Sequence, residues 1–270
     1  MSFFTQIFAY SFSVRALVVG VLVSVCAALL GINMVLKRFS MLGDGLSHVA
    51  FGAAAIGLAM GVAPLKIAIP VVIVAAFLLL GISERGAVKG DAAIAMVSSA
   101  ALAVGIIVAS LTTGLNTDIN NYMFGSILAM SKSDIWLSVV ITAVVLAAYL
   151  LFYHKIFACS FDERFAAATG VRVKIYNALI SILTAVTVVV GMRLMGALLI
   201  SAVMTFPALS AMRVCKRYST TVLCTAAVSA VAFVTGLLLS FGFDMPVGAT
   251  VVVVNAVIYV AFLVIRKLKH

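Results

Sequence analysis

Charge is scarce in this sequence: Asp, Glu, Lys and Arg together make up 10% of 270 residues, while aliphatic, aromatic, Met and Cys residues make up 65%. With a mean hydropathy of +1.30, that shortage excludes a water-soluble domain, whose surface needs far more polar area than these residues supply. Cysteine is also sparse. Cys26, Cys159, Cys215 and Cys224 lie in or beside apolar segments with no Cys-x-x-Cys pairing, so they read as small buried hydrophobes and not as a disulfide framework or metal cage. A Gly-x-x-x-x-Gly-Lys-Ser/Thr loop is missing, and no polar segment is long enough for a nucleotide-binding domain. Any ATP-driven step must therefore be carried out by another polypeptide.

What the sequence has instead is apolar runs of about 20 residues, the length that crosses a hydrocarbon core as a helix. Backbone groups in lipid must be paired within their own segment, and the runs do not alternate as barrel strands would. The expected fold is all-α: a single transmembrane domain over residues 1–270, with about nine spans and eight as the lower count. The predicted spans are 14–36, 42–61, 65–82, 92–112, 135–152, 175–192, 194–212, 220–241 and 247–265. The first run is longer than a signal-peptide core and ends in Lys37 and Arg38 without a small-residue cleavage site, so it reads as a retained span.

Nine crossings place fourteen of the eighteen Lys and Arg residues on one side of the membrane. Because basic loops stay in the cytoplasm, that side is expected to be internal, with the N-terminus outside and the C-terminus cytoplasmic. The net charge of +10 then faces the anionic inner leaflet of a plasma membrane. Nucleic acid is excluded as a partner, since the charges sit in short loops and no soluble basic domain exists. Residues 1–13 read either as an interfacial amphipathic helix or as a disordered tail. Residues 113–134 form an outer loop whose apolar half, Tyr122 to Leu128, suggests a short interfacial or re-entrant helix. Residues 153–174 form the largest inner loop.

Polar groups within spans carry the functional information, because each costs a few kcal/mol unless paired or used. The clearest set is Gly43-Asp44-Gly45-Leu46-Ser47-His48 at the start of the second span. Asp44 and His48 stand four residues apart on one helical face, and a carboxylate oxygen beside an imidazole nitrogen suits a divalent transition metal. The alternative is a capping Asp and a His bonded to a neighbouring helix. Small residues crowd the rest of this span, which allows close packing on nearly every side and a central position.

Pro207 lies inside a span, as a simple kink or as the bend of a pathway-lining helix. Asp244, before Met245 and Pro246, reads first as a helix cap and second as part of an outer gate. His154 and His270 lie at cytoplasmic ends, where interfacial roles suffice. A proton-coupled secondary transporter would need more intramembrane carboxylates and usually shows repeat halves, and an intramembrane metalloprotease would need His-Glu-x-x-His. Neither pattern is present.

Six segments come in the order and rough spacing of one family. They are Gly43 to His48, Asp91-Ala92-Ala93-Ile94, Phe124-Gly125-Ser126-Ile127-Leu128, Phe161-Asp162-Glu163 through Gly170, Gly191 through Pro207-Ala208, and Asp244 to Ala249. Over nearly its whole length the chain resembles the membrane permeases of bacterial ABC importers for zinc, manganese and iron. The resemblance implies a permease that pairs with a second copy of itself on a cytoplasmic ABC ATPase dimer and receives its ion from an extracytoplasmic metal-binding protein. It implies no permanently bound cofactor, only transported Zn²⁺ or Mn²⁺, with zinc the first expectation. Asp44 and His48 match the family's pathway ligands; Phe161, Asp162, Glu163 and Gly170 match its ATPase-coupling loop, where a short helix from Phe161 to Ala168 is expected. Gly45 departs from the pattern, which has a bulkier residue there.

Overall fold

The computed structural model describes residues 11–84, 90–112, 125 and 132–268. Among them are eleven helices: α1 (Ser11–Leu36), α2 (Leu42–Ala59), α3 (Pro64–Glu84), α4 (Gly90–Leu111), α5 (Lys132–Leu151), α6 (Tyr153–Phe161), α7 (Glu163–Ala168), α8 (Val173–Met195), α9 (Ala197–Val214), α10 (Tyr218–Phe243) and α11 (Val247–Leu268). Eight of them are long and apolar enough to cross a membrane alone, and the count reaches nine if α5 and α6, bent by 71° at their junction, are taken as one broken span. The re-entrant reading of residues 113–134 and the reading of residues 1–13 fall largely outside the described residues.

The contacts at the helix ends define the topology. Lys37, just past α1, meets Glu163 of α7 and Asn177 of α8. Tyr149 near the end of α5 bonds to Tyr218 at the start of α10, and Leu79 and Leu80 of α3 share a small cavity with Phe39 and with Ile94 of α4. The ends of α1, α3 and α5 thus gather with the beginnings of α4, α8 and α10, as successive up-and-down crossings require. Arg213, at the end of α9, reaches Tyr259 of α11. We call this the basic end.

Helices α1, α2 and α8 are the most buried, α9 somewhat less, and α3, α4 and especially α11 lie at the periphery. Helix α1 packs against α5, α8, α9 and α10, while α2 is held among α3, α4, α8 and α9. Glycine permits these crossings. A Cβ on Gly52 would stand 2.5 Å from the backbone oxygen of Ala101, so α2 and α4 touch backbone to backbone, the usual close packing of spans in lipid.

Several helix ends differ from the sequence reading, two of them for a clear structural reason. Arg193 and Leu194 belong to α8, and the chain enters α9 through Gly196 alone, at φ 87°. The Ile200 side chain occupies the space beside Gly191, so α9 folds back on α8. An uninterrupted apolar run conceals such a break, since hydropathy does not register a single left-handed glycine. Asp244 is not the N-cap of the last helix. It closes α10 in the left-handed conformation, φ 55°, and the Met245 N–H returns to the Ser240 carbonyl, a six-to-one helix stop that a short polar residue tolerates.

Candidate functional site

Helix α2 begins without a side-chain cap, its N-cap position being Met41. Asp44 therefore lies inside the first turn, where its carboxylate does not serve as a cap. One turn on, His48 stands with Nε2 3.7 Å from Asp44 Oδ2. Leu46 and Ser47 point into the protein and are fully buried, so the helix turns its apolar side to the core and this pair to the other side. Asp44 keeps 48% and His48 25% of their side-chain surface exposed.

Both open onto a cleft of about 530 Å³. Its near wall is Ser40, Met41, Asp44, His48 and Phe51, and Leu102 of α4 adds to it. Its far wall is one face of α9: Ala197, Leu198, Ser201, Ala202, Thr205 and Leu209. The Ser201 and Thr205 hydroxyls donate to carbonyls one turn back, which leaves their oxygen lone pairs available to the cleft. This wall escaped the sequence reading. Its only advance signal was two hydroxyl residues four apart in an apolar span, a pattern equally suited to ordinary helix packing.

Pro207 is buried and is absent from the cleft lining, on the opposite side of α9 from Thr205 and Leu209. Gly45 has a packing reason: a Cβ there would lie 2.5 Å from Ile94 Cγ2, and Ile94 is 3% exposed. Glycine at this position lets α4 close against the turn that carries Asp44 and His48. Among the described residues no three His, Cys, Asp or Glu side chains converge as a metal-binding group. Asp44 and His48 are side chains of metal-ligating type, one carboxylate and one imidazole, on the same cleft wall.

Residues 153–174 are helical for most of their length. Phe161 ends α6, and Asp162 interrupts the expected continuous helix by capping α7, its Oδ1 accepting from the N–H groups of Arg164 (2.9 Å) and Phe165 (3.0 Å). Gly170 ends the unit at φ 84°. Phe161 at the end of α6 and Phe165 on the capped helix α7 are 74% and 65% exposed, two large aromatic surfaces on either side of the Asp162 cap.

Replacing Asp162 by Ala is expected to destabilise α7 by about 1 kcal/mol, the common value of an N-cap. Amide hydrogen exchange at residues 164–168 should then speed up while the spans stay protected. Burial pushes the Glu163 carboxyl up, but hydrogen bonds from Lys37 and Asn177 outweigh it and hold the carboxyl below its ordinary value. The ion pair with Lys37 thus adds stability above the ordinary carboxylate range, and that contribution is lost as pH falls through the lowered value.

A bundle of apolar helices with a mostly apolar cleft that carries Asp44 and His48 between two of them is that of a multi-pass membrane protein. The chain belongs to the ABC 3 transport family, whose model matches residues 9–266. It is 31% identical over 268 residues to the manganese transport system membrane protein MntC of Listeria monocytogenes, covering 99% of this chain and 95% of that one. It is 30% identical over 262 residues to the manganese import system permease protein ScaB of Streptococcus gordonii, covering 97% and 94%. The high-affinity zinc uptake system membrane protein ZnuB of Haemophilus influenzae is 26% identical over 252 residues, covering 93% and 97%. The solved structure of PsaBC from Streptococcus pneumoniae in complex with Fab matches with a TM-score of 0.86 and 27% identity, covering 96% of this chain and 94% of that one.

Proposed function

We propose that this chain is the membrane-spanning permease of an ATP-driven importer for a divalent transition metal, and that Asp44 and His48 meet the ion in transit. The observation that carries this is the placement of the pair: the acid and the imidazole share one wall of a cleft between α2 and α9 in a chain whose relatives are named for manganese and zinc. Two ligands per copy suit cargo better than a resident metal, because a full cage would hold the ion too tightly to release. A second copy of the chain facing the first would double the set. The hydroxyls of Ser40, Ser201 and Thr205 add three neutral oxygen donors to an otherwise mostly apolar lining, and such donors suit Mn²⁺ as well as Zn²⁺.

The basic end is read as cytoplasmic. There the end of α6 and α7, with Phe161 and Phe165 exposed, supply the surface on which an ATPase dimer docks, and an extracytoplasmic binding protein delivers the ion at the opposite end. The test is reconstitution of the permease with its co-purifying ATPase in proteoliposomes. Uptake of Mn²⁺ or Zn²⁺ should require ATP, and competition among manganese, zinc and iron should rank the cargo. Metal uptake driven by a proton gradient without ATP would overturn the reading.

A further inference from the structure

The docking helix and the cleft are joined by one buried cation. Lys37 is only 8% exposed and donates to Glu163 Oε1 at 2.7 Å and to Asn177 Oδ1; Asn177 Nδ2 donates to the same Glu163 oxygen at 3.0 Å. The triangle is closed, and it joins the end of α1, helix α7 and the second turn of α8.

From Lys37 the chain leads to the cleft with little slack. Arg38 takes the left-handed conformation, φ 61°. The Phe39 N–H returns to the Met34 carbonyl at 2.8 Å and that of Arg38 to Val35 at 3.1 Å, the paired bonds of a Schellman helix stop. The Leu42 N–H then bonds to Phe39, and that of Gly45 to Met41. Ser40, Met41 and Asp44, all in the cleft wall, follow directly. Asn33, one turn before Lys37, accepts from Ser160 of α6 and Tyr218 of α10, which holds this end of α1 in place.

Stability alone does not require a lysine here. A buried ion pair can usually be replaced by apolar residues of similar size without loss, and the space around Lys37 is lined by Phe39 and Leu80 as well as polar groups. Glu163 is 51% exposed, so water can reach it and the pair can part and re-form. A recess of about 310 Å³ beside Lys37, bounded by Leu80, Ser160 and Phe161, leaves room for that movement.

We propose that Lys37 is a positioning residue that couples α7 to the ligand-bearing turn of α2, so that displacement of the docking helix moves Asp44 and His48. This rests on the reading of α7 as the ATPase-docking segment. The first test does not depend on the cargo: the maleimide labelling rate of a Ser40→Cys variant, above that of the parent chain, in the permease–ATPase complex without nucleotide and trapped with vanadate. The rate should differ several-fold between the two states, and adding Lys37→Met should remove the difference while the ATPase still co-purifies.

In proteoliposomes, Mn²⁺ moved per ATP hydrolysed should fall about tenfold in Lys37→Met, the scale of one charge-assisted hydrogen bond. Lys37→Arg should restore much of it. A wild-type complex that shows the labelling response but carries neither Mn²⁺ nor Zn²⁺ would sink the cargo reading and leave the coupling standing. Nucleotide-insensitive labelling in the Ser40→Cys chain, an undiminished response in Lys37→Met, or failure of both the Met and Arg variants to accumulate in the membrane would overturn the coupling.

Discussion

Asp44→Ala and His48→Ala are each expected to reduce ATP-dependent metal uptake at least about 100-fold, since even second-shell partners of a metal commonly carry 10- to 100-fold in affinity. The protein should remain in the membrane in normal amount. The reason lies in the local geometry: Asp44 caps no helix, since the N-cap position is Met41 and lacks a side-chain cap. His48 is paired only loosely with Asp44, at 3.7 Å. Neither side chain supports the core, so a loss of uptake would report on the pathway and not on folding. The isosteric Asp44→Asn keeps shape and removes charge, and it should fail nearly as completely. Radioactive manganese uptake beside a membrane immunoblot decides the matter; normal uptake in both alanine variants would remove the ligand assignment.

The opposite pattern is expected at Gly31. A Cβ there would lie 1.7 Å from the Met204 carbonyl oxygen and 2.6 Å from its carbon. Both are backbone atoms, so no rotamer change relieves the clash, and α1 and α9 must separate. Gly31→Val should cost about 3 kcal/mol or more, the upper end of overpacking in a close-packed interior. The expected result is a low-yield, early-melting protein in detergent. Gly81→Ala serves as the control, because nothing lies within 4 Å of a Cβ at that position, and it should behave as wild type. Met204 Sδ also lies 2.9 Å from where a Gly43 Cβ would be. The α1–α9 crossing that Gly31 permits is thus the one that seats the turn carrying Asp44 and His48, so any Gly31 variant that still inserts should also transport poorly.

Lys37 and Asp162 can be compared with these two. Asp162 acts on one short helix through two backbone bonds, and its loss should be local. Lys37 joins elements 126 positions apart, so its loss should leave each element intact and alter how they move together.

The spans were legible because a lipid-facing helix must be apolar along about 20 residues whatever it packs against. That constraint is written residue by residue, so the observed helices differ from the predicted spans mainly at their ends. The pairing of Asp44 with His48 was legible for a similar reason, since four residues on a helix is a fixed geometry that needs no partner. The segment from Phe161 to Gly170 was half legible. Its helix formers and its glycine were plain, but the exact start depended on Asp162 choosing to cap.

What only the tertiary structure decided is everything that depends on which face of one helix meets which face of another. Ser201 and Thr205 became the far wall of the cleft because Gly196 folds α9 back and Gly31 lets it settle against α1. Lys37 found Glu163 and Asn177 only when three helix ends converged. In lipid the apolar surfaces of helices are nearly equivalent, so hydropathy determines that a segment spans the membrane; close packing of small residues and a few buried hydrogen bonds determine its neighbours.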